Sequence, residues 1–248
     1  MKKVIIFLAF AVLAVLLIKP IENNDVWMHI KTGECMVNNM RLVRADDYSY
    51  TQEGKKWLNH QWLSQIIFYL FYKRLGVNGP IVLQFIFAFF AFVLLFKAAY
   101  NKNKWLLSVF LMFLIILFSQ DGLVARPLVI SLFLFSVFIF ILHKYKYEWD
   151  SQKANLVYAL IPLQILWINL HAAAIMGVFI IWAHAAGEFI DIYVRKGLKS
   201  DFVMRKDKYR KLLYAAGLVT LSIGLTPWVY DAILFPIKEV KGMYYILE

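Results

Sequence analysis

Cysteine and charged residues are both scarce in this sequence. Its 248 residues include one cysteine, Cys35, which cannot form an intramolecular disulfide or a cysteine-based metal cage. Asp, Glu, Lys and Arg together make up 17% of the chain, whereas a soluble domain has about a quarter. A disulfide framework, a disordered chain, a coiled coil and an ordinary globular enzyme are therefore excluded.

The signatures of several enzyme classes are also missing. The sequence has no Gly-x-Ser-x-Gly, no His-Glu-x-x-His and no Walker loop. It thus lacks the usual nucleophile motif of a hydrolase, the zinc-binding helix of a metallopeptidase and the phosphate loop of an ATPase. The polar segments assigned below to the cytoplasm are too short for a nucleotide-binding domain, which disfavours a nucleotide-sugar donor.

Long apolar runs are abundant. Hydrophobic residues make up 62% of the chain, and the mean hydropathy is +0.63. We predict an all-α polytopic transmembrane bundle of about seven spans, forming a single domain over residues 1–248. Several runs reach only about 15 residues, or about 22 Å as a helix, so their ends are expected to extend into flanking polar residues. The runs cover residues 4–18, 79–99, 105–118, 128–142, 156–169, 172–194 and 212–226.

The first run resembles the core of a signal peptide, because Lys2 and Lys3 precede it. No small-x-small cleavage motif follows the run, and Lys19-Pro20 ends it. We therefore interpret residues 4–18 as an uncleaved first span.

The distribution of charge sets the expected orientation. The segment Trp62–Leu75 is apolar but short and closes with Lys73-Arg74, so we interpret it as an interfacial helix. The N-terminus is then cytoplasmic, and the cytoplasmic segments hold 16 of the 27 basic residues and four of the 16 acidic ones, as the positive-inside rule requires. Topology and lipid headgroups account for the net charge of +11, so no nucleic-acid partner is expected. The cytoplasmic segments are 1–3, 97–104, 143–153 and 195–211.

The longest stretch outside the apolar runs is residues 20–76, which we expect to be an extracytoplasmic loop with interfacial helices. Long loops of this kind usually carry function. Asp25 precedes an apolar-periodic stretch, so a helix is predicted to begin there. Asp25 and His29 are then spaced i, i+4 on one face and can bind the same ligand, metal or water. Taken alone, Asp25 is more typical of a plain helix cap.

Four further candidates follow in the same loop, namely Asp46, Asp47, His60 and Trp62. Taken alone, the two aspartates are typical of a solvated turn, and the other two are typical of anchors at headgroup level. A functional role for these four residues is favoured because polar residues at the outer ends of distant runs are expected on the same face of the membrane. A cluster of ionisable groups at one membrane face predicts a functional site. These distant residues are Asp121, Arg126, Asn169, His171, Trp228 and Asp231.

Each distant residue also has an ordinary structural interpretation. Arg126, next to Pro127, is placed to reach lipid phosphates, and Asn169 and His171 are placed to cap a tight hairpin. On the opposite face, Glu188 and Asp191 could mark a proton path, with His184 one turn earlier. We favour the alternative that the two carboxylates pair with the adjacent basic segment from residue 195 onward.

Five short motifs occur in a fixed order along the chain. With one span and a large outer loop, this order resembles the N-terminal half of GT-C-type integral membrane glycosyltransferases, the superfamily of protein mannosyltransferases and lipid A aminoarabinose transferases. The motifs are most similar to those of a bacterial polytopic branch of that superfamily. They are Asp25-Val-Trp-Met-His29, Arg44-Ala-Asp46-Asp47-Tyr, Trp57-Leu-Asn-His60-Gln-Trp62, Ala125-Arg126-Pro127 and Trp167-Ile-Asn169-Leu-His171.

The resemblance implies transfer of a sugar from a polyprenyl-phosphate donor at the extracytoplasmic face of a bacterial plasma membrane. It implies that Asp25 is the catalytic base or a metal-linked carboxylate, and that the second acidic position of the outer loop is Asp46 or Asp47. It also implies a longer chain with more spans, so the sequence is expected to be the N-terminal portion of a larger architecture.

The chemistry assigns two roles directly. One ionised carboxylate can take the proton of the acceptor hydroxyl, and we assign this role to Asp25. The departing phosphate needs a cation, best an arginine able to make two parallel bonds, and Arg126 lies where a headgroup is expected. The remaining candidates are expected in supporting roles: His29, Asp46 and Asp47 in catalysis, and His60, Trp62, Asn169 and His171 in substrate binding.

Cofactor and partners are less defined. Asp25 and His29 could hold a divalent ion, and hard oxygen ligands would suit Mg²⁺ or Mn²⁺, but the sequence establishes no metal. Membrane lipids and a polyprenyl-phosphate-linked sugar are the expected partners, and the oligomeric state is left open.

The rival interpretation is a non-catalytic membrane protein, such as a flippase, a transporter or an assembly scaffold. A transporter would place its ionisable groups near the bilayer midplane, at broken helices. The polar cluster is instead expected at the outer ends of the runs, and Pro162 is the one proline that interrupts a run. This distribution favours an enzyme.

Overall fold

The structure is a computed structural model that describes residues 2–48, 50–51, 53–119, 122–147, 151–194 and 202–228. The chain forms two compact units, Met1–Phe140 and Ile141–Glu248, which are described separately below.

The described residues are helical, as predicted, and contain no β-strand beyond an isolated antiparallel bridge between Ala45 and Lys56. Short 3-10 or π segments extend α7, α8 and α9. The α-helices are α1 (Lys2–Leu17), α2 (Asp25–Asn39), α3 (Trp62–Leu75), α4 (Asn78–Ala99), α5 (Trp105–Phe118), α6 (Pro127–Tyr147), α7 (Leu160–Leu170), α8 (Ile175–Phe189) and α9 (Phe202–Leu221).

Three helical segments of the described chain are long and apolar enough to cross a membrane: Asn78–Ala99, Pro127–Tyr147 and Ala172–Ile192. Two more, Trp105–Phe118 and Asn155–Leu170, are apolar but shorter. Such helices are compatible with an integral membrane protein. The count of seven spans stays a prediction, because the shorter helices do not reach the length that a bilayer normally requires.

In the first unit, α4 runs antiparallel to α1. At one end, the Nζ atom of Lys2 in α1 donates to the carbonyl of Lys102 at 2.8 Å and lies 5.2 Å from the ring centre of Tyr100. At the other end, the buried Nε2 of Gln84 in α4 donates to the carbonyls of Leu17 and Leu123 at 3.2 and 2.8 Å. The N-terminal end of α1 therefore lies beside the α4–α5 connection. These two parts of the chain must lie close together if both face the cytoplasm, as the sequence predicts.

Two glycines allow α3 to pack closely between its neighbours. A Cβ atom on Gly33 of α2 would lie 2.1 Å from the carbonyl oxygen of Gln65, and one on Gly79 of α4 would lie 2.4 Å from that of Phe71. Gly76, with a φ of 59°, ends α3 and turns the chain into α4. With 14 residues, α3 is about 21 Å long, in keeping with an interfacial helix.

In the second unit, α8 is joined to the end of α6 by ion pairs. Lys146 lies 3.3 Å from Glu188 and 3.0 Å from Asp191. The last turn of α6 is basic, and it supplies the cation that we expected from the segment after residue 194. Residues 195–201 lie outside the described part of the chain. The proposed proton path has no support from these contacts, because both carboxylates are engaged by one lysine.

We predict that Gly33→Ala destabilises the first unit. The added methyl group would collide with the backbone of α3, so the two helices must move apart, and overpacking of this kind costs about 1–3 kcal/mol. The free energy of unfolding of the purified protein in detergent is the measurement. Gly217→Ala in α9 is the matched control, since its Cβ would meet nothing within 4 Å and should leave stability unchanged or raised. Equal stability of the two variants would contradict the close approach of α2 and α3.

Candidate functional site

Residues 44–46 pair with residues 55–57 as a short hairpin, which builds one wall of the candidate site. The amide of Trp57 donates to the carbonyl of Arg44 at 2.8 Å, and the amide of Asp46 donates to the carbonyl of Lys55 at 2.9 Å. Asp46 also fixes the following turn, because its Oδ1 accepts from the amide of Tyr48 at 2.8 Å. The aspartate is therefore held by its backbone and by its side chain.

The ring of Tyr48 joins the hairpin to α2. It packs edge-on against Trp57, with ring centres 6.0 Å apart, and its hydroxyl accepts from the Oγ1 of Thr32 at 2.9 Å. Thr32 is fully buried on α2. The hairpin is thus pinned to the helix that begins with Asp25.

A cavity of about 380 Å³ lies between the hairpin, α2 and the start of α3. Four residues from the sequence prediction meet there: Asp25, His29, Asp46 and His60. The remaining lining residues are Met28, Tyr48, Trp57, Leu58, Asn59, Gln61 and Gln65.

Asp25 at the cavity makes an ion pair with Arg126. The Nη2 of Arg126 donates to the Oδ2 of Asp25 at 2.5 Å, across 101 residues of sequence. Asp25 is the first residue of α2, where a negative charge is favoured by the helix dipole, and Asn24 occupies the cap position. Asp25 therefore lies one residue after the cap position, and its side chain also pairs with a distant arginine.

A chain of buried amides ends on His29. The Nδ2 of Asn59 donates to the Oε1 of Gln65 at 2.7 Å, and the Nε2 of Gln65 contacts the Nδ1 of His29 at 3.5 Å. The amide of Gln65 is thereby oriented, so Nδ1 of His29 accepts and Nε2 carries the proton. Burial lowers the pKa of His29 to about 4, against the opposing charge of Asp25, so the imidazole is neutral at pH 7.

A second chain runs through His60. Its Nδ1 lies 3.3 Å from the carbonyl of Leu58 and must donate, which leaves Nε2 to accept from the Nε2 of Gln61 at 3.1 Å. The Oε1 of Gln61 is buried and has no hydrogen-bond partner among the described residues. His60 therefore orients a neighbouring amide, in addition to any contact with a ligand.

Several predicted site residues lie outside the cavity lining. Asp47 is exposed beside Asp46, and Trp62 begins α3. Asn169 and His171 belong to the second unit, where both side chains make hydrogen bonds to the backbone. The Nδ2 of Asn169 donates to the carbonyls of Ile165 and Leu225, and the Nδ1 of His171 accepts from the amide of Ala173.

The bond of His171 matches the hairpin-capping alternative, whereas Asn169 also links α7 to the carbonyl of Leu225, 56 residues further along the chain. Trp228 is buried in the second unit, whereas Asp121 and Asp231 lie outside the described residues.

Three amides of the site, Asn59, Gln61 and Gln65, were not among the predicted site residues. Gln61 and Gln65 are spaced i, i+4 at the start of an otherwise apolar aromatic helix, and Asn59 is 1% exposed. This spacing of polar residues on one face was the available signal. It indicates a polar face directed toward other protein groups.

The cavity does not fit a resident divalent metal ion. No group of three His, Cys, Asp or Glu side chains in the part of the chain that the structure describes is arranged to hold one. Asp25, the expected carboxylate ligand, already binds the guanidinium of Arg126, which would repel a cation. The expected use of Asp25 and His29 as Mg²⁺ or Mn²⁺ ligands therefore has no geometric support.

Comparisons with protein-family models, with curated proteins and with solved structures found no match. Function must therefore be inferred from the chemistry of the cavity.

We predict that His29 makes the protein less stable as the pH falls. Its folded pKa of about 4 lies below the ordinary value of 6.5, so the unfolded chain binds the proton first. Stability from this group is complete above pH 6.5 and falls between pH 6.5 and 4, by about 3 kcal/mol at most. Unfolding of wild type and His29→Gln across this range is the measurement. The variant should show a flatter pH dependence, and identical slopes would contradict a buried neutral imidazole.

Proposed function

We propose that this chain is a membrane glycosyltransferase that moves a sugar from a polyprenyl-phosphate donor to an acceptor at the extracytoplasmic face. The observation that carries the proposal is the ion pair of Asp25 and Arg126 beside a cavity with aromatic and polar walls. The reaction needs a proton acceptor and a phosphate-binding cation close together, and this pair brings both groups to one place.

Arg126 has the position and geometry to bind a lipid phosphate. It directly precedes Pro127, the first residue of a helix long and apolar enough to cross a membrane, so it lies at the depth of lipid headgroups. The N-terminus of this helix also favours anions. The side chain is 40% exposed, and its planar fork can make two parallel bonds to phosphate oxygens.

The ion pair defines a resting state that the donor would open. A phosphate competes with the Asp25 carboxylate for the guanidinium, and its binding releases Asp25 as an ionised base. The acceptor oxygen then bonds to the anomeric carbon while the bond from that carbon to the phosphate oxygen breaks. The acceptor proton moves to Asp25, and the negative charge of the leaving polyprenyl phosphate is held by Arg126.

The cavity supplies space and surfaces for a sugar. Its volume of about 380 Å³ falls within the usual range for small-molecule sites. Trp57 and Tyr48 offer apolar ring surface, and His29, Asp46 and His60 offer polar groups. Four further residues do not line the cavity, so their roles stay predictions that rest on the family resemblance. They are Asp47, Trp62, Asn169 and His171.

We predict that Asp25→Asn abolishes sugar transfer, because the amide keeps the shape of the carboxylate and cannot accept the proton. Membrane insertion and the amount of folded protein should be unchanged. The measurement is transfer by purified protein with a panel of polyprenyl-phosphate sugars. Glu22→Gln removes an exposed carboxylate three residues earlier and should keep full activity. Turnover by Asp25→Asn equal to wild type would remove Asp25 from the mechanism.

We predict that Arg126→Lys weakens use of the donor by about tenfold or more in kcat/KM, since a point charge lacks the planar fork and forfeits at least one charge-assisted bond. Donor titrations in the same assay measure this change. Arg41→Lys, at an exposed position just beyond α2, is the control and should behave as wild type. Equal donor dependence of Arg126→Lys and wild type would exclude recognition of phosphate by the fork.

A further inference from the structure

We propose that Gln84 of α4 is a positioning residue, which sets the distance between Asp25 and Arg126. Gln84 is not among the residues that line the cavity, and it acts through the backbone of two segments that lead to the charged pair. The inference rests on the proposed function for the chemical roles of Asp25 and Arg126. The positioning itself is a structural property and can be measured without any reaction.

Gln84 is a fully buried polar side chain in a helix that is long and apolar enough to cross a membrane. A polar group at such a position is costly to bury, so it needs a specific partner. Its Nε2 donates to two carbonyls, that of Leu123 at 2.8 Å and that of Leu17 at 3.2 Å. These bonds use both amide hydrogens and fix the orientation of the amide. Gln84 therefore ties two distant segments of the chain to α4.

The bond to Leu123 fixes the segment that carries Arg126. Leu123, Val124 and Ala125 are buried and are not helical, so their backbone carbonyls need partners. The amide of Arg126 donates to the carbonyl of Val124 at 2.7 Å, and Gln84 donates to the carbonyl of Leu123. The guanidinium thus belongs to a residue three positions after a backbone group that is attached to α4.

The bond to Leu17 fixes the approach to Asp25. Leu17 is the last residue of α1, and Asp25, the first residue of α2, follows eight positions later. The carbonyls in the last turn of a helix have no partner within that helix, and Gln84 supplies one for Leu17. The same side chain therefore limits the movement of both segments that lead to the ion pair.

Asp25 is also attached to α4 by a second route, which does not involve Gln84. The close packing of α3 against α2 at Gly33 and against α4 at Gly79 places α2 relative to α4. Loss of the Gln84 bonds should therefore release the segment of Arg126 more than it releases α2. The distance between the two charged groups should then change while the helices stay folded.

Gln164 in the second unit is a matched control. It is also fully buried, its Nε2 donates to the carbonyl of Ala174 at 2.8 Å, and its Oε1, like that of Gln84, has no hydrogen-bond partner among the described residues. Substitution of either glutamine by Met keeps an unbranched chain of similar size but removes the donors. Substitution by Asn keeps the amide but stops short of the carbonyls, so it is the milder change.

The first measurement is the distance between two spin labels, determined by electron paramagnetic resonance on the purified full chain. The labels are attached at Asn24→Cys and Leu128→Cys in a chain where Cys35 is replaced by serine. Both positions are exposed and lie beside the two members of the ion pair. With Gln84 in place, the labels should give a single narrow distance distribution.

Gln84→Met and Gln84→Asn should broaden or shift this distribution, whereas the same substitutions at Gln164 should leave it unchanged. An unchanged distribution in a folded Gln84 variant, or an equal change in the Gln164 variants, would overturn the inference. Loss of folding in both Gln84 variants would also overturn it, because a general role in packing would then explain the bonds.

The second measurement is a double-mutant cycle in the sugar-transfer assay. If Gln84 acts through Arg126, Gln84→Met should lower kcat/KM for the donor by about tenfold in wild type but by about threefold or less in the Arg126→Lys variant. A residue that only stabilises the fold would lower activity by the same factor in both backgrounds. Equal factors would therefore contradict a positioning role.

The two measurements separate the inference from the proposed function. A changed label distance in a protein that transfers no sugar would refute the glycosyltransferase and keep the positioning role of Gln84. Sugar transfer together with an unchanged label distance in the Gln84 variants would keep the glycosyltransferase and refute the positioning role.

Discussion

The contact between Asp25 and Arg126 joins two parts of the first unit that the sequence separates by 101 residues. It places the start of α2, a short helix outside the long apolar spans, against the start of α6, a helix suited to cross a membrane. Because both side chains are partly exposed, the pair itself contributes only about 0–1 kcal/mol to stability. Its importance is positional, since it brings a carboxylate and a guanidinium to the same side of one cavity.

The geometry around this pair depends on packing more than on charge. Gly33 lets α2 approach the backbone of α3 at Gln65, and this approach brings the Gln65 amide to His29. Adding one methyl group at this crossing would cost about 1–3 kcal/mol, whereas removing the exposed ion pair would cost only about 0–1 kcal/mol. The close helix crossing therefore holds the cavity in shape, and Asp25 and Arg126 supply its charge. Oriented amides and the neutral imidazole of His29 line this cavity.

The sequence predicts the helices, including the short α3, and the candidate residues Asp25, His29, Asp46 and His60 because each leaves a local signal. Apolar periodicity marks the helices, and charge beside an apolar run marks the membrane boundary. It cannot choose between Asp46 and Asp47, since a hairpin register decides which side chain faces the cavity. It also misses Asn59, because burial of a loop asparagine depends on a partner six residues away. Asn169 is a similar case, because its bond to the carbonyl of Leu225 joins residues that are 56 apart in the sequence, whereas the capping bond of His171 is local.

If a lipid-linked donor is used at the site, the end of the first unit that contains Asp25 and Arg126 must face the exterior. The other end, with Lys2 and Lys102, must then face the cytoplasm. The most direct test is labelling of single cysteines in intact cells with a reagent that cannot cross membranes, in a chain where Cys35 is replaced by serine. Met40→Cys reports the end of α2, and Asn103→Cys reports the α4–α5 connection; both positions are exposed. Labelling of Met40→Cys in intact cells, with labelling of Asn103→Cys only after permeabilisation, is the predicted result. Equal or reversed accessibility of the two positions would contradict an extracytoplasmic site.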